Sequence, residues 1–243
     1  NGNIGGGGFL VASMSNGENF SLDFREKAPA SANKNMFLDD KGEVLNGVSL
    51  NSLASSGVPG SVDGLLKVLE DYGSGKISRR QILEPAIRLA NNGFLLSHYE
   101  ARRLNIYKDF FLKNDAATKI FVRTDGKPWR SGDKLIQRDL ARPLRKISIH
   151  GRSGFYKGDI ADLIVKEMQN GNGLITYKDL EDYSSKYRIP VQGNFHDYEI
   201  LSMGPPSSGG ILLINMLNML ENFRLDTLGW NSSNYVHLLT EVE

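Results

Sequence analysis

Between residues 19 and 30 the chain reads NFSLDFREKAPA, where Phe20, Leu22 and Phe24 alternate with Ser21, Asp23 and Arg25. A period of two marks a strand with one buried face, so the three apolar side chains share a side and Asp23 and Arg25 emerge together on the other. Pro29 has no amide to give to a ladder, which places Arg25 near the point where the strand gives out. Phe9 to Met14 reads as a second strand, and Asn16-Gly17 between them predicts a two-residue hairpin turn. Four consecutive glycines, Gly5 to Gly8, precede the hairpin and let another backbone come close.

The pattern then turns helical. Residues 31–57 are rich in Ser, Asn and Gly and predict a long surface excursion, closed by Pro59-Gly60-Ser61. Val62, Leu65, Leu66, Leu69 and Tyr72 recur at helical spacing, predicting a helix from Ser61 to Tyr72 that Gly73 stops. Ser78 with Gln81, and Ser97 with Glu100, have capping-box spacing, predicting helices to Asn92 and toward Leu112. Pro85 should kink or break the first of these. Asp125 to Arg145 looks polar and irregular, with one short helix near Leu135 to Leu140. Ile160, Leu163, Ile164 and Met168 mark the inward face of a helix ending at Gly171, and Thr176 with Asp179 begins a short one.

Arg188 to Phe195 and Tyr198 to Met203 return to the period of two and read as a pair of strands. Gly204 to Gly210 then opens a helix to Glu221. Its residues Ile211 to Ile214, Met216, Leu217, Met219 and Leu220 are apolar on nearly every side, which predicts burial on all faces. A hairpin, several helices and a second hairpin make an α+β chain.

Composition narrows the classes. At 243 residues, 40% hydrophobic and 23% charged, the chain suits one large globular domain, or at a stretch two, with a real core. Lys plus Arg number 29 against 28 Asp plus Glu, a near-balance that argues against nucleic acid or an anionic membrane as the main partner. Arg138, Arg142, Arg145 and Lys146 read as a solvated face. The absence of cysteine excludes disulfides, thiolate metal sites and cysteine nucleophiles. No apolar run approaches the roughly 20 residues that span a bilayer. His98, His150, His196 and His237 lack zinc-site spacing, and neither a P-loop nor a GxSxG elbow occurs, so no metal or cofactor is expected. Starting at Asn1 and stopping after Glu243, the chain reads as a piece of something longer, with any targeting segment upstream.

Two places have the character of a site. Arg25 offers a planar fork of donors suited to a carboxylate, unless Asp23 or Glu26 takes it as a structural ion pair. At Ser207, Ser208, Gly209 and Gly210, free amides at a helix N-terminus could hold an anion or an oxyanion. Capping by Ser207 or Ser208, with glycines that admit close packing, is the commoner use of such a stretch. A complete catalytic apparatus cannot be assembled from these residues.

Six segments in order carry a resemblance: Asn3-Ile4-Gly5-Gly6-Gly7-Gly8-Phe9, Asp23-Phe24-Arg25-Glu26-Lys27-Ala28-Pro29, Gly57-Val58-Pro59-Gly60, Glu84-Pro85-Ala86-Ile87-Arg88-Leu89-Ala90 with Gly93-Phe94, Phe155-Tyr156-Lys157-Gly158, and Pro205-Pro206-Ser207-Ser208-Gly209-Gly210. Together the series resembles the γ-glutamyltranspeptidases. The resemblance implies an N-terminal-nucleophile hydrolase with an αββα sandwich, made as a precursor that cuts itself into a large and a small subunit. Residues 1–243 would form most of the large subunit of one such domain, with both ends truncated. The catalytic threonine would open the small subunit and attack γ-glutamyl amides such as glutathione, passing the acyl group to water or an amino acid. None of Thr118, Thr124, Thr176, Thr227 or Thr240 has that threonine's context, so no catalytic residue is expected in this chain. In the family, the arginine at the position of Arg25 clamps the substrate α-carboxylate. Adjacency alone suggests that Glu26 helps orient Arg25. A periplasmic or secreted location goes with the family. Cephalosporin acylases and poly-γ-glutamate depolymerases share these signatures, and a non-catalytic binding module is the reading from another class.

Overall fold

The computed structural model describes residues 3–243. In chain order its elements are β1 (Phe9–Ser13), β2 (Asn19–Asp23), α1 (Val48–Asn51), α2 (Ser61–Tyr72), α3 (Arg79–Asn92), β3 (Phe94–Leu95), α4 (His98–Ile106), α5 (Lys108–Phe111) and α6 (Asp115–Phe121). These are followed by β4 (Lys134–Leu135), α7 (Arg138–His150), α8 (Ser153–Tyr156), α9 (Gly158–Asn170), α10 (Tyr177–Asp182), β5 (Lys186–Arg188), β6 (Val191–Phe195), β7 (Tyr198–Ser202), α11 (Gly209–Leu220) and α12 (Ser233–Val242). The chain is mixed α and β, and it divides into two compact units. One comprises Asn1–Ala30, Gly57–Gly64 and Asp182–Glu243; the other, Ser31–Ser56 and Leu65–Glu181.

In the first unit an antiparallel sheet has the order β1-β2-β5. Phe20, Leu22 and Phe24 are buried, as their alternation requires. Ser21, on the opposite face, is buried too, and its hydroxyl donates to the Arg188 carbonyl at 3.0 Å. The β1–β2 turn holds three residues rather than two. Met14 N–H donates to Glu18 O at 2.9 Å, Gly17 N–H to Met14 O at 2.9 Å, and Gly17 takes φ 86°. A type I turn followed by a left-handed glycine gives this geometry.

The second hairpin is shorter than expected. β6 pairs with β7, but Arg188 belongs to β5, which adds to β2 instead. Pro190 lies between β5 and β6, where a residue without an amide interrupts any continuous ladder. α11 packs on the β6–β7 hairpin, where a Cβ at Gly193 would meet Ile214 Cγ2 at 2.6 Å. The expectation that α11 is buried all round is wrong for this chain. Only Gly210 and Leu220 are buried, whereas Ile211, Leu212 and Leu213 are 49%, 55% and 44% exposed.

In the second unit α3 pairs with α7, burying Ile87 and Ala90 on one and Ala141, Leu144 and Ile147 on the other. Both capping boxes form: Ser78 with Gln81, and Ser97 with Glu100. Pro85 does not break α3, and Pro143 sits inside α7 in the same way. Each proline removes one ladder bond, and the shared apolar seam keeps both helices continuous. That seam also explains why α7 runs for 13 residues where only a short helix was expected. The α4 helix is interrupted at Tyr107 before α5 continues the path toward Leu112. Leu163, expected inward on α9, is 52% exposed; Ile160, Ala161 and Val165 make the buried face. Residues 31–57 are mainly turn and loop but include the four-residue α1.

Candidate active site around Arg25

Arg25 lies two residues beyond the end of β2, and its backbone is gripped from several sides. Phe24 and Gly8 exchange amide–carbonyl bonds at 3.0 and 3.2 Å. Tyr183, itself buried, donates its hydroxyl to the Arg25 carbonyl at 2.8 Å. A Cβ on Gly7 would stand 2.7 Å from Glu26 N, and one on Gly60 would collide with the Tyr183 hydroxyl and the Phe24 carbonyl. The glycine run and Gly60 are therefore what let three chain segments close around residues 24–26.

With the backbone fixed, the guanidinium projects outward, 5.7 Å from the Phe9 ring centroid. Such an exposed stacking contact contributes on the order of 0.5–1 kcal/mol. No carboxylate among the described residues pairs with it. Asp23 gives one oxygen to the Arg25 backbone N–H at 3.1 Å, and its other oxygen accepts Arg188 Nε and Nη2 at 2.9 and 2.8 Å. Glu26 is exposed and makes no bond to Arg25, so its expected orienting role has no contact behind it here.

Arg25, Glu26, Lys27, Asp23, Lys186, Arg188 and Pro206 line one cleft of about 280 Å³. Four cations face two carboxylates there, and one of the two is already neutralised by Arg188. Lys27 Nζ donates to Ser184 O at 2.5 Å and lies 4.8 Å from the Tyr183 ring centroid. Burial, and then the neighbouring Lys186 charge, hold its pKa below the ordinary 10.5. The charge count is independent of that shift: Arg25 and Lys186 have no ion-pair partner among the described residues, and Glu26 is the one carboxylate lining the cleft that Arg188 does not hold. Ser185, next to Lys186 in the chain, is fixed by Asp63, a buried carboxylate that accepts both Ser185 N–H and Ser185 Oγ–H at 2.7 Å.

Of the candidate positions Ser207, Ser208, Gly209 and Gly210, none lines this cleft; Pro206, just before them, does. Ser207 Oγ accepts the Gly209 N–H at 3.3 Å, while the Ser208 hydroxyl makes no capping bond. Gly210 is pressed against β6 and β7, where a Cβ would meet the Met203 carbonyl and approach Val191 Cγ2 at 2.8 Å. A Cβ on Gly209 would make only an ordinary contact, 3.5 Å from Ser207 Oγ. The sequence did not point to Lys27, Lys186 or Arg188 as neighbours of Arg25. The one available signal was a basic pair, Lys186 and Arg188, spaced for one face of a strand.

The sequence profile described as Gamma-glutamyltranspeptidase matches residues 1–243. The chain belongs to the γ-glutamyltranspeptidase family. It is 41% identical over 240 residues to a glutathione hydrolase proenzyme of Pseudomonas sp. (strain A14), covering 99% of this chain and 41% of that protein. A glutathione hydrolase proenzyme of Escherichia coli (strain K12) is 40% identical over 242 residues, covering 100% of this chain and 41% of its own length. Among solved structures, the Helicobacter pylori γ-glutamyltranspeptidase superposes with a TM-score of 0.94 at 44% identity, covering 99% of this chain and 68% of that one. The chain thus spans about two fifths of the curated relatives it matches. No helix among the described residues is long and apolar enough to cross a membrane.

Proposed function

We propose that this chain is most of the large subunit of an enzyme that transfers γ-glutamyl groups from glutathione and similar amides to water or to amino acids. The observation that carries the reading is the unpaired guanidinium of Arg25 in a cation-rich cleft, on a chain whose family is γ-glutamyltranspeptidase. Arg25 grips the α-carboxylate of the glutamyl moiety by a two-pronged, charge-assisted contact, which fixes the γ-amide for attack. The nucleophile is the N-terminal threonine of a small subunit. Its oxygen bonds to the γ-carbonyl carbon, the amine leaves with a proton, and water or an amino acid then releases the glutamyl ester.

The same reading gives the completed molecule an αββα sandwich formed by self-cleavage of a precursor, and a periplasmic or secreted location. The exposed apolar positions of α11 favour it, because they offer a face for further polypeptide. The test is to express the intact precursor, sequence the N-terminus of any shorter chain that co-purifies, and assay hydrolysis of a γ-glutamyl anilide. A threonine-started chain with γ-glutamyl turnover is expected. Turnover confined to a cephalosporin side-chain amide or to poly-γ-glutamate would reassign the substrate, and a stable, uncleaved, inactive polypeptide would make the chain a binding module.

A further inference from the structure

We propose that the cleft between α4 and residues 129–131 binds a small carboxylate carried on a flat apolar body, such as an aromatic acid. It shares no residue with the Arg25 cleft and lies wholly within the second unit. Its volume is about 540 Å³, and its walls include His98, Arg102, Asn105, Ile106, Trp129 and Arg130. That size suits one small organic ligand.

Two of the wall residues are held independently of any ligand. Asn105 and Trp129 are tied reciprocally: Asn105 Nδ2 donates to Trp129 O at 2.9 Å, and Trp129 N–H donates to Asn105 Oδ1 at 2.8 Å. The indole N–H donates to Phe121 O at 2.7 Å. Trp129 therefore has its polar edge satisfied, and what it gives the cleft is ring surface. Ile106, 59% exposed, adds a second apolar wall.

The charge in the cleft is unbalanced. Asp125 and Asp133, the nearest acids in the loop, pair with Arg123 at 2.7 and 2.6 Å, and Asp133 also accepts the Arg130 backbone N–H at 2.8 Å. Among the described residues no carboxylate lies within ion-pair distance of the Arg102 or Arg130 guanidinium, and the cleft lining contains no acid. Two guanidiniums and an imidazole beside a fixed indole and an aliphatic side chain supply donors for an oxyanion and a slot for a ring. The groove between α3 and α7 is also rich in arginine, but Glu84 stands among Arg80, Arg88 and Arg145, and Arg145 is bonded to Asn91 at 2.7 Å.

Isothermal titration of the intact protein with indole-3-acetate tests the assignment, with acetate and inorganic phosphate as parallel probes. Saturable binding is expected at about 1 mM or tighter, with acetate and phosphate each at least about tenfold weaker. Arg102→Ala and Arg130→Ala should each weaken binding roughly tenfold, as loss of a charge-assisted contact does, without changing γ-glutamyl turnover. Arg102→Lys keeps the charge and should retain intermediate affinity, which separates a lost contact from a lost fold. No saturable heat, equal affinity for acetate or phosphate, unchanged affinity in either alanine variant, or loss of binding in Arg25→Ala would each overturn the proposal.

Discussion

Arg188 holds Asp23 through two donors on one carboxylate oxygen, Nε at 2.9 Å and Nη2 at 2.8 Å, and the Asp23 side chain is only 12% exposed. The pair spans 165 positions of sequence and occupies the Asp23 oxygen that the Arg25 backbone N–H does not use. With Arg188 gone, a mostly buried carboxylate two residues from Arg25 would lack its partner, and the Arg25 guanidinium would be drawn to it. Arg188→Ala is therefore expected to raise the KM for a γ-glutamyl anilide about tenfold, equivalent to about 1.4 kcal/mol. Adding Asp23→Asn to Arg188→Ala should recover most of the loss. A double variant no better than the single one would mean that Asp23 does not compete for Arg25.

Arg25 itself should be more sensitive. In the proposed complex the guanidinium and the substrate carboxylate form a desolvated pair, and truncating one member of such a pair costs about 3–5 kcal/mol. In the intact enzyme Arg25→Ala should lower kcat/KM for γ-glutamyl substrates by at least about a hundredfold, a loss of about 2.7 kcal/mol or more. The melting temperature should change little, since the side chain is exposed and has no ionic partner among the described residues. Arg25→Lys should recover only part of the activity, because a point charge cannot reproduce the two-pronged contact. Equal turnover by Arg25→Ala and the parent would remove Arg25 from the site.

Gly60 bears the structural side of the same arrangement. A methyl group there would collide with the Tyr183 hydroxyl and the Phe24 carbonyl, two groups that fix the backbone of residues 24–26. Overpacking of this kind costs about 1–3 kcal/mol. For a chain of this size that corresponds to a fall of roughly 2–12 °C in melting temperature. Gly17→Ala is the contrast, since its Cβ would meet nothing within 4 Å. Only its φ of 86° is strained, so a smaller loss is expected from thermal unfolding monitored by circular dichroism.

What the sequence made legible follows from how local each signal is. The alternation of Phe20, Leu22 and Phe24 and the two capping boxes each lie within a few residues, and the structure reproduces them. The Asp23–Arg188 pair was invisible because no periodicity links positions so far apart. β5 pairs outside the expected hairpin for the same reason, since its partner β2 lies near the other end of the chain. The reading of α11 failed differently. An all-round apolar helix does imply burial, but the covering groups need not belong to the same described chain.

Asp125 gives a pH signature in the loop that carries Trp129. Its carboxyl is held well below the ordinary 3.8, chiefly by the Arg123 side-chain bond, with the Lys127 backbone N–H adding to it. A folded pKa lower than the unfolded one contributes stability that is present above the unfolded value and is lost as pH falls through the folded one. The stability gap between the parent and Asp125→Asn should thus be constant above about pH 5 and shrink on acidification below about pH 4. Denaturant midpoints measured across that range check it. A gap that widens in acid would show the sign to be wrong.

The exposed face of α11 makes the last prediction, one that depends on context. In the 243-residue chain Leu212 is 55% exposed, so Leu212→Asn removes little packing there. Its stability should change by no more than about 0.5 kcal/mol, as for ordinary surface substitutions. In the intact protein the proposed small subunit covers this face, and burying a leucine side chain contributes about 1.5–3 kcal/mol. The same substitution should therefore weaken retention of the threonine-started chain, measured as the salt or denaturant concentration at which the two polypeptides separate. If the intact protein tolerates Leu212→Asn as well as the 243-residue chain does, α11 faces water in the assembled enzyme and the partner docks elsewhere.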